Sequence, residues 1–342
     1  MASDVSPAAG KSTWPQVAAA VGLLTVLISV LLIAFAWPAV RSSVHDVPIA
    51  VAGPIAATDE ITAALQRRMP DAFDITAVRD TAAAEQAVRN REVYGAIDVS
   101  TGTPQVTVAS AASPIVAQTL QQVAAGLNQA SGGTSAQTVA VRDIAALPTE
   151  DPRGAGLAAG SLPLVMGGLI AAALLTNRIR GLVRRIAGAL AFAVTGGVAL
   201  TAILQFWFGS LTGNYWANAG VIALSIAATS LTLLGLESLL GYAGLGLGAA
   251  VMILIGNPLS GTTTAPQMLP GRFGTLGQLL PPGAAGTLLR STAFFDGRSA
   301  TKPLLVLIAW LALGLTLCAV GGLRKRHPTT TADVESAVPT VA

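Results

Sequence analysis

LLPPGAAGTLLRSTAFFDG, residues 279–297, is apolar enough for a lipid bilayer. Pro281, Pro282 and Arg290 nevertheless leave no run of the about 20 residues that a helix needs to cross ~30 Å of hydrocarbon. Upstream, Pro258 in GNPLSG stops a hydrophobic run, and two semi-apolar pieces follow, 273–280 and 283–295, parted by the two prolines. Leu288, Leu289, Thr292 and Phe295 give the second piece a compact apolar side. Non-helical backbone at membrane depth survives only against protein or a water-filled cavity. The expectation is a re-entrant hairpin over 257–302, a plug at the outer mouth of a pathway. Its gate residues would be Pro258, Pro281, Pro282, Leu288, Leu289, Arg290 and Phe295.

The rest of the chain explains why a membrane is the right solvent. Of 342 residues 52% are hydrophobic and 11% are charged, with a mean hydropathy of +0.64. Soluble domains carry about 25% charged residues. Six runs of near-membrane length stand out, at 17–37, 156–175, 186–208, 217–239, 241–255 and 303–323. The first is flanked by Trp14 and Trp37, where indole rings favour the interface. Ala34–Phe35–Ala36 imitates a signal-peptide cleavage site, but the apolar core exceeds the roughly 7–15 residues of a signal. A retained span is expected.

The bend TNRIRGLVRR, 176–185, and the tail RKRH, 324–327, are rich in arginine. Short basic loops stay cytoplasmic. Both termini, including the leader 1–16 and the tail 324–342, are then inside, and 38–155 lies outside. There the composition turns soluble. VPIAVAG, FDITAVR, YGAIDVS, PQVTVAS and QTVAVRDI read as strands, alternating with helices that begin near Thr58, Thr81 and Ser113. The first of these helices is expected to be capped by Thr58. Such alternation argues an α/β layer domain. The expected fold is a polytopic α-helical membrane protein, six transmembrane helices with an extracytoplasmic α/β domain between helices 1 and 2 and a five-helix unit at 156–323.

Catalytic chemistry has little support in the sequence. AAGKST, 8–13, ends like a phosphate-binding loop, but Val5 stands where the first glycine belongs and no strand precedes it. Gly244, Gly246 and Gly248 lie within a hydrophobic run, so helix packing explains them better than a dinucleotide fingerprint. His45 and His327 fall on opposite sides of the membrane, and Cys318 is the single cysteine, so neither metal nor disulfide is expected. Arginines gathered without interleaved aromatics give no nucleic-acid stripe. Three lysines among twenty basic residues, with abundant Ala and Gly, point to a GC-rich bacterial genome. No cofactor is expected.

Polar positions within the spans are Gln205 and Glu237, read as an intramembrane polar site or, for Glu237, as an interfacial carboxylate. Thr229, Ser230 and Thr232 read as glue between helices. Ile179, Leu182, Val183 and Ile186 fall at i, i+3, i+4 and i+7, one face of a helix, with Arg178, Arg180, Arg184 and Arg185 around the rest. That helix would lie on anionic lipid or press into a cytoplasmic partner.

VYGAIDVS (93–100), LPLVMGGL (162–169), GNPLSG (256–261) and LPPGAAGTLLRSTAFFDG (280–297), in this order of spans and loops, resemble the ABC type-2 transport permeases and the related phage-infection-protein family of bacterial membrane proteins. The likeness runs from about residue 17 to 323, departing in the leader, which lacks an amphipathic elbow helix. It implies that 177–185 is a coupling helix gripping a separate ATPase subunit through Arg178, Ile179, Arg180, Leu182, Val183, Arg184 and Arg185. It also implies that 257–302 is the outer gate and that two permease copies work together in the bacterial plasma membrane. The alternative is an envelope scaffold, secretion accessory or phage receptor whose outer domain binds a partner.

Overall fold

The structure, a computed structural model, describes residues 12–130 and 139–324. Most of the phosphate-loop imitation and of the leader, and the tail from Lys325 through His327, lie outside them. Five helices are long and apolar enough to cross a membrane. They are α1 (Trp14–Arg41), α5 (Ala155–Arg178), α6 (Leu182–Ala202, continued by a π turn Ile203–Trp207), α7 (Tyr215–Leu240) and α11 (Thr301–Arg324). α7 is the central post: 78% of its apolar window is buried, against 39% for α5 and 22% for α6 and α11. α5, α6 and α11 surround it, through cores that include Ile222, Ile226, Leu231 and Leu234. Their other faces stay apolar and exposed, as Ile170, Leu174, Val194 and Leu305 show. Water does not favour that surface and lipid does.

The sixth expected span falls short. Residues 241–255 form α8 (Tyr242–Ala250) and a π turn, Val251–Gly256. At 1.5 Å per residue the pair is about 22 Å long, less than the ~30 Å of a hydrocarbon core. It still leads the chain back along α7. Tyr242 at its start donates to Asn177 Oδ1 (2.7 Å), and Gly256 at its end lies against Pro282. The glycines explain the fit, because Gly244 and Gly248 face Leu236 and Leu233 of α7.

The sheet runs β2-β1-β3-β4-β5, with β1 (Val47–Ala52), β2 (Phe73–Val78), β3 (Gly95–Asp98), β4 (Gln105–Val108) and β5 (Ala140–Asp143). β3 and β4 are antiparallel and the other neighbours parallel. Period-two alternation sorts β1: Ile49 and Val51 face α2 (Ile55–Arg68) and α4 (Pro114–Ala130), whereas Ala50 and Ala52 face α3 (Thr81–Arg89). Thr58 does not cap α2. The helix starts at Ile55, and Thr58 is buried in its first turn, donating to the Ile55 carbonyl.

The prolines of the opening stretch stand at the break between two helices and start the second of them. Pro281 and Pro282 occupy the first turn of α10 (Pro281–Phe294), where no amide is needed for an intrahelical bond. α9 (Phe273–Gln278) is a short turn before it. Residues 257–302 fold against the sheet domain: Ala265 and Met268 enter the core beneath β1, and Phe295 enters the alanine side of the sheet.

Candidate functional site

The bend between α5 and α6 and the hairpin at 257–302 lie at opposite ends of the bundle. α5 starts beside the sheet domain, with Gly154 against Leu147, and runs about 36 Å to Arg178. The short helix expected over 177–185 does not form. α5 continues to Arg178, Ile179 is extended (φ −111°, ψ 125°), and α6 begins at Leu182. Gly181 is the physical reason. Its φ of +92° is a conformation that glycine alone adopts cheaply, so the chain reverses there although the apolar spacing fits a helix.

Of the seven residues expected to grip a partner, Arg178, Arg180, Val183 and Arg184 are exposed, Ile179 and Leu182 half-buried. Arg185 turns inward. Its Nε donates to the Ile179 carbonyl (2.8 Å) and one terminal nitrogen to the Thr176 carbonyl (2.9 Å), satisfying the last turn of α5. The other terminal nitrogen meets Glu237 Oε2 at 2.9 Å. Arg185 is therefore a clamp among α5, α6 and α7, and Glu237 is a buried ion-pair partner, not a solvated interfacial acid. Among the described residues Arg178, Arg180 and Arg184 make no ion pair. A cleft of about 950 Å³ opens beside the last two, lined by Arg180, Val183, Arg184, Ala319 and Leu323.

Gln205 and Glu237 are not one site. Gln205 accepts from Asn218 near the start of α7 (3.2 Å) and donates to the Gly213 carbonyl (3.2 Å). Asn218 and Glu237 are about 28 Å apart along that helix. Thr232 does join helices, its hydroxyl donating to the Trp310 carbonyl of α11 (3.1 Å).

At the hairpin end, Pro281, Pro282, Leu288, Leu289, Arg290 and Phe295 are buried and Pro258 half-buried. The sequence gives no local signal for what holds them. Arg91 crosses from the sheet domain to donate to the Thr287 carbonyl (2.9 Å) and Ser291 Oγ, with its guanidinium 5.2 Å from the Phe295 ring centre. Burial holds that guanidinium below its ordinary value, with the Tyr94 hydroxyl opposing. Tyr94 donates to Gln267 Oε1 (2.9 Å), and the Asn90 side chain and carbonyl accept from Arg298 and Ser299 (3.0 and 2.9 Å). These bonds tie the hairpin to the sheet domain. Tyr94→Phe, which removes one hydrogen bond, is expected to lower stability by about 1 kcal/mol. Chemical unfolding followed by tryptophan fluorescence measures it.

β1 is flanked by β2 and β3; α2 leaves the carboxyl end of β1 toward β2 while β3 turns into β4, so the chain diverges at the carboxyl ends of β1 and β3, a place where α/β sheets bind ligands. Here Asp98 fills it. Its carboxylate accepts from the Ser100 amide (2.8 Å), Ser100 Oγ (2.6 Å) and Thr81 Oγ1. Burial raises the carboxyl's pKa, but these bonds outweigh it and hold it below the usual range. Three bonds engage Asp98, so it secures the loop.

Comparison of the chain with protein-family models, with curated proteins and with solved structures finds no match.

Proposed function

We propose that the protein is the membrane-spanning subunit of an ATP-driven exporter, moving an amphiphilic drug, lipid or envelope precursor across a bacterial plasma membrane. The observation that carries this reading is the bend. Unpaired Arg180 and Arg184 and exposed Val183 border an open cleft, one bundle length from the hairpin and the sheet domain. Unpaired basic groups around an apolar contact are what an acidic partner surface engages. The clamp at Arg185 gives a push at that bend a rigid path into α7. In this reading α8 completes a sixth crossing by thinning the bilayer locally, and both termini lie in the cytosol. ATP is hydrolysed by a separate subunit. A second permease copy packs against the bundle, where α1 offers a helix with none of its apolar window buried.

The double charge reversal Arg180→Glu, Arg184→Glu is expected to weaken capture of the ATPase by about tenfold or more and to reduce export in parallel. The fold should survive, since both side chains are exposed and unpaired. Co-purification with the products of neighbouring genes, and efflux of a fluorescent amphiphile from cells, are the measurements. No captured ATPase and unchanged efflux would defeat the exporter reading.

The scaffold reading has one observation in its favour. α2 and α4 flank a cleft of about 400 Å³, mostly apolar, with Arg67 and Arg68 at its rim. An outer partner recognised there would persist in the double charge-reversal variant.

A further inference from the structure

Arg290 is a charge without a counter-charge. It is 6% exposed, and one bond of its guanidinium is accounted for, from a terminal nitrogen to the Thr262 carbonyl. Among the described residues the ion pairs are Arg142 with Glu85 and Arg185 with Glu237, so no carboxylate lies within 4.0 Å of Arg290 or of Arg91 behind it. Burial, then the charge of Arg91, lowers the pKa of Arg290 to about 10, which leaves it protonated at neutral pH. Leaving such a cation unpaired inside a protein is costly.

The space beside it fits an anion. Arg290 walls a cavity of about 220 Å³ between the start of α5 and the turn at Thr262 and Thr263. Arg153 and Thr263 line it as well and are exposed, so the cavity has an open mouth; Leu147 and Leu157 make its other walls apolar. Asp151, the acid at the start of α5, is already engaged, its two oxygens accepting from the amides of Ala155 and Gly156 at 2.7 Å each. Two arginines line the cavity and a third stands behind them, a balance that favours a doubly charged oxyanion over a single carboxylate. Planar guanidinium groups match phosphate oxygens in geometry.

We propose that this cavity, with Arg290 at its base and Arg153 at its mouth, binds a phosphate group, as the free ion or as the head group of an anionic lipid. Thr263 supplies a hydroxyl donor, and Leu147 and Leu157 accommodate the carbon chain of an ester. The site is independent of the transport reading, because it needs neither an ATPase nor movement.

The test is the thermal midpoint of the full chain in neutral detergent. One arm adds inorganic phosphate against chloride at equal ionic strength; the other adds short-chain phosphatidic acid against short-chain phosphatidylcholine. A rise of about 2–4 °C in either arm is expected. Phosphate alone identifies the free ion, and phosphatidic acid alone the head group. Arg153→Ala, at the exposed rim, is expected to leave the ligand-free midpoint in place and weaken the response by about tenfold in concentration. Arg290→Met is expected to raise the ligand-free midpoint, having removed an unpaired charge, and to abolish the response. If neither arm moves the wild-type midpoint, or if Arg153→Ala responds like wild type, the site does not exist. Arg153→Ala decides the matter alone should Arg290→Met fail to fold.

Discussion

Arg185→Ala is expected to lower stability by about 3 kcal/mol, near the bottom of the range for breaking a buried ion pair, because the two side chains keep 18% and 10% of their exposure. Three acceptors lose their donor at once: Glu237 and the carbonyls of Thr176 and Ile179. Arg185→Lys should recover only part of this, since an ammonium on a flexible stem cannot hold the fork that reaches all three. Arg185→Met combined with Glu237→Leu should recover more than either single change, because no charge is then left stranded. Detergent-titrated unfolding of the purified protein measures each variant. A loss under about 0.5 kcal/mol in Arg185→Ala would show that the clamp does not hold the bend.

The clamp marks the boundary of what the sequence makes legible. β1 can be read from the alternation of Ile49 and Val51 with Ala50 and Ala52, because a strand's period of two is a local property. The long helices can be read for the same reason, as uninterrupted apolar runs. The bend misleads because periodicity ignores backbone conformation: Ile179, Leu182 and Val183 keep helical spacing, and Gly181 at φ +92° breaks the helix between them. That glycine was the one available warning. The partnership of Arg185 with Glu237 joins positions 52 apart, and that of Arg91 with Thr287 and Ser291 positions about 200 apart. Such pairings depend on how α7 packs and where the sheet domain settles, which no window of sequence contains. α8 misleads differently, since hydropathy registers apolar character and overlooks a missing turn or two of length.

Gly314→Val should be strongly damaging to the bundle. α11 and α7 meet backbone to backbone: a Cβ at Gly314 would stand 2.5 Å from the Thr232 amide nitrogen and 2.6 Å from the Leu231 carbonyl carbon. A flexible side chain could swing away from such an intrusion, but helix backbone cannot, so α11 would have to move out. Gly235 faces it from α7, where a Cβ would lie 2.8 Å from the Gly314 carbonyl oxygen. Lipid tails offer helices little reason to associate beyond the contact itself, so small residues that permit close approach supply much of the attraction. Forcing the helices apart also strains the bond from Thr232 to the Trp310 carbonyl and the contact of Ser238 with Leu317. The expected loss is upwards of about 3 kcal/mol, above the usual range for overpacking because rigid atoms are met. Gly314→Ala should lose less than Gly314→Val but still be plainly measurable, since even one methyl meets backbone. Cysteine crosslinking between Leu231 and Leu317 positions, compared across the wild type and the two variants, reads the separation directly. If crosslinking and unfolding midpoint are the same in all three, α7 and α11 do not pack through Gly314, and α7 is not the post on which the bundle is built.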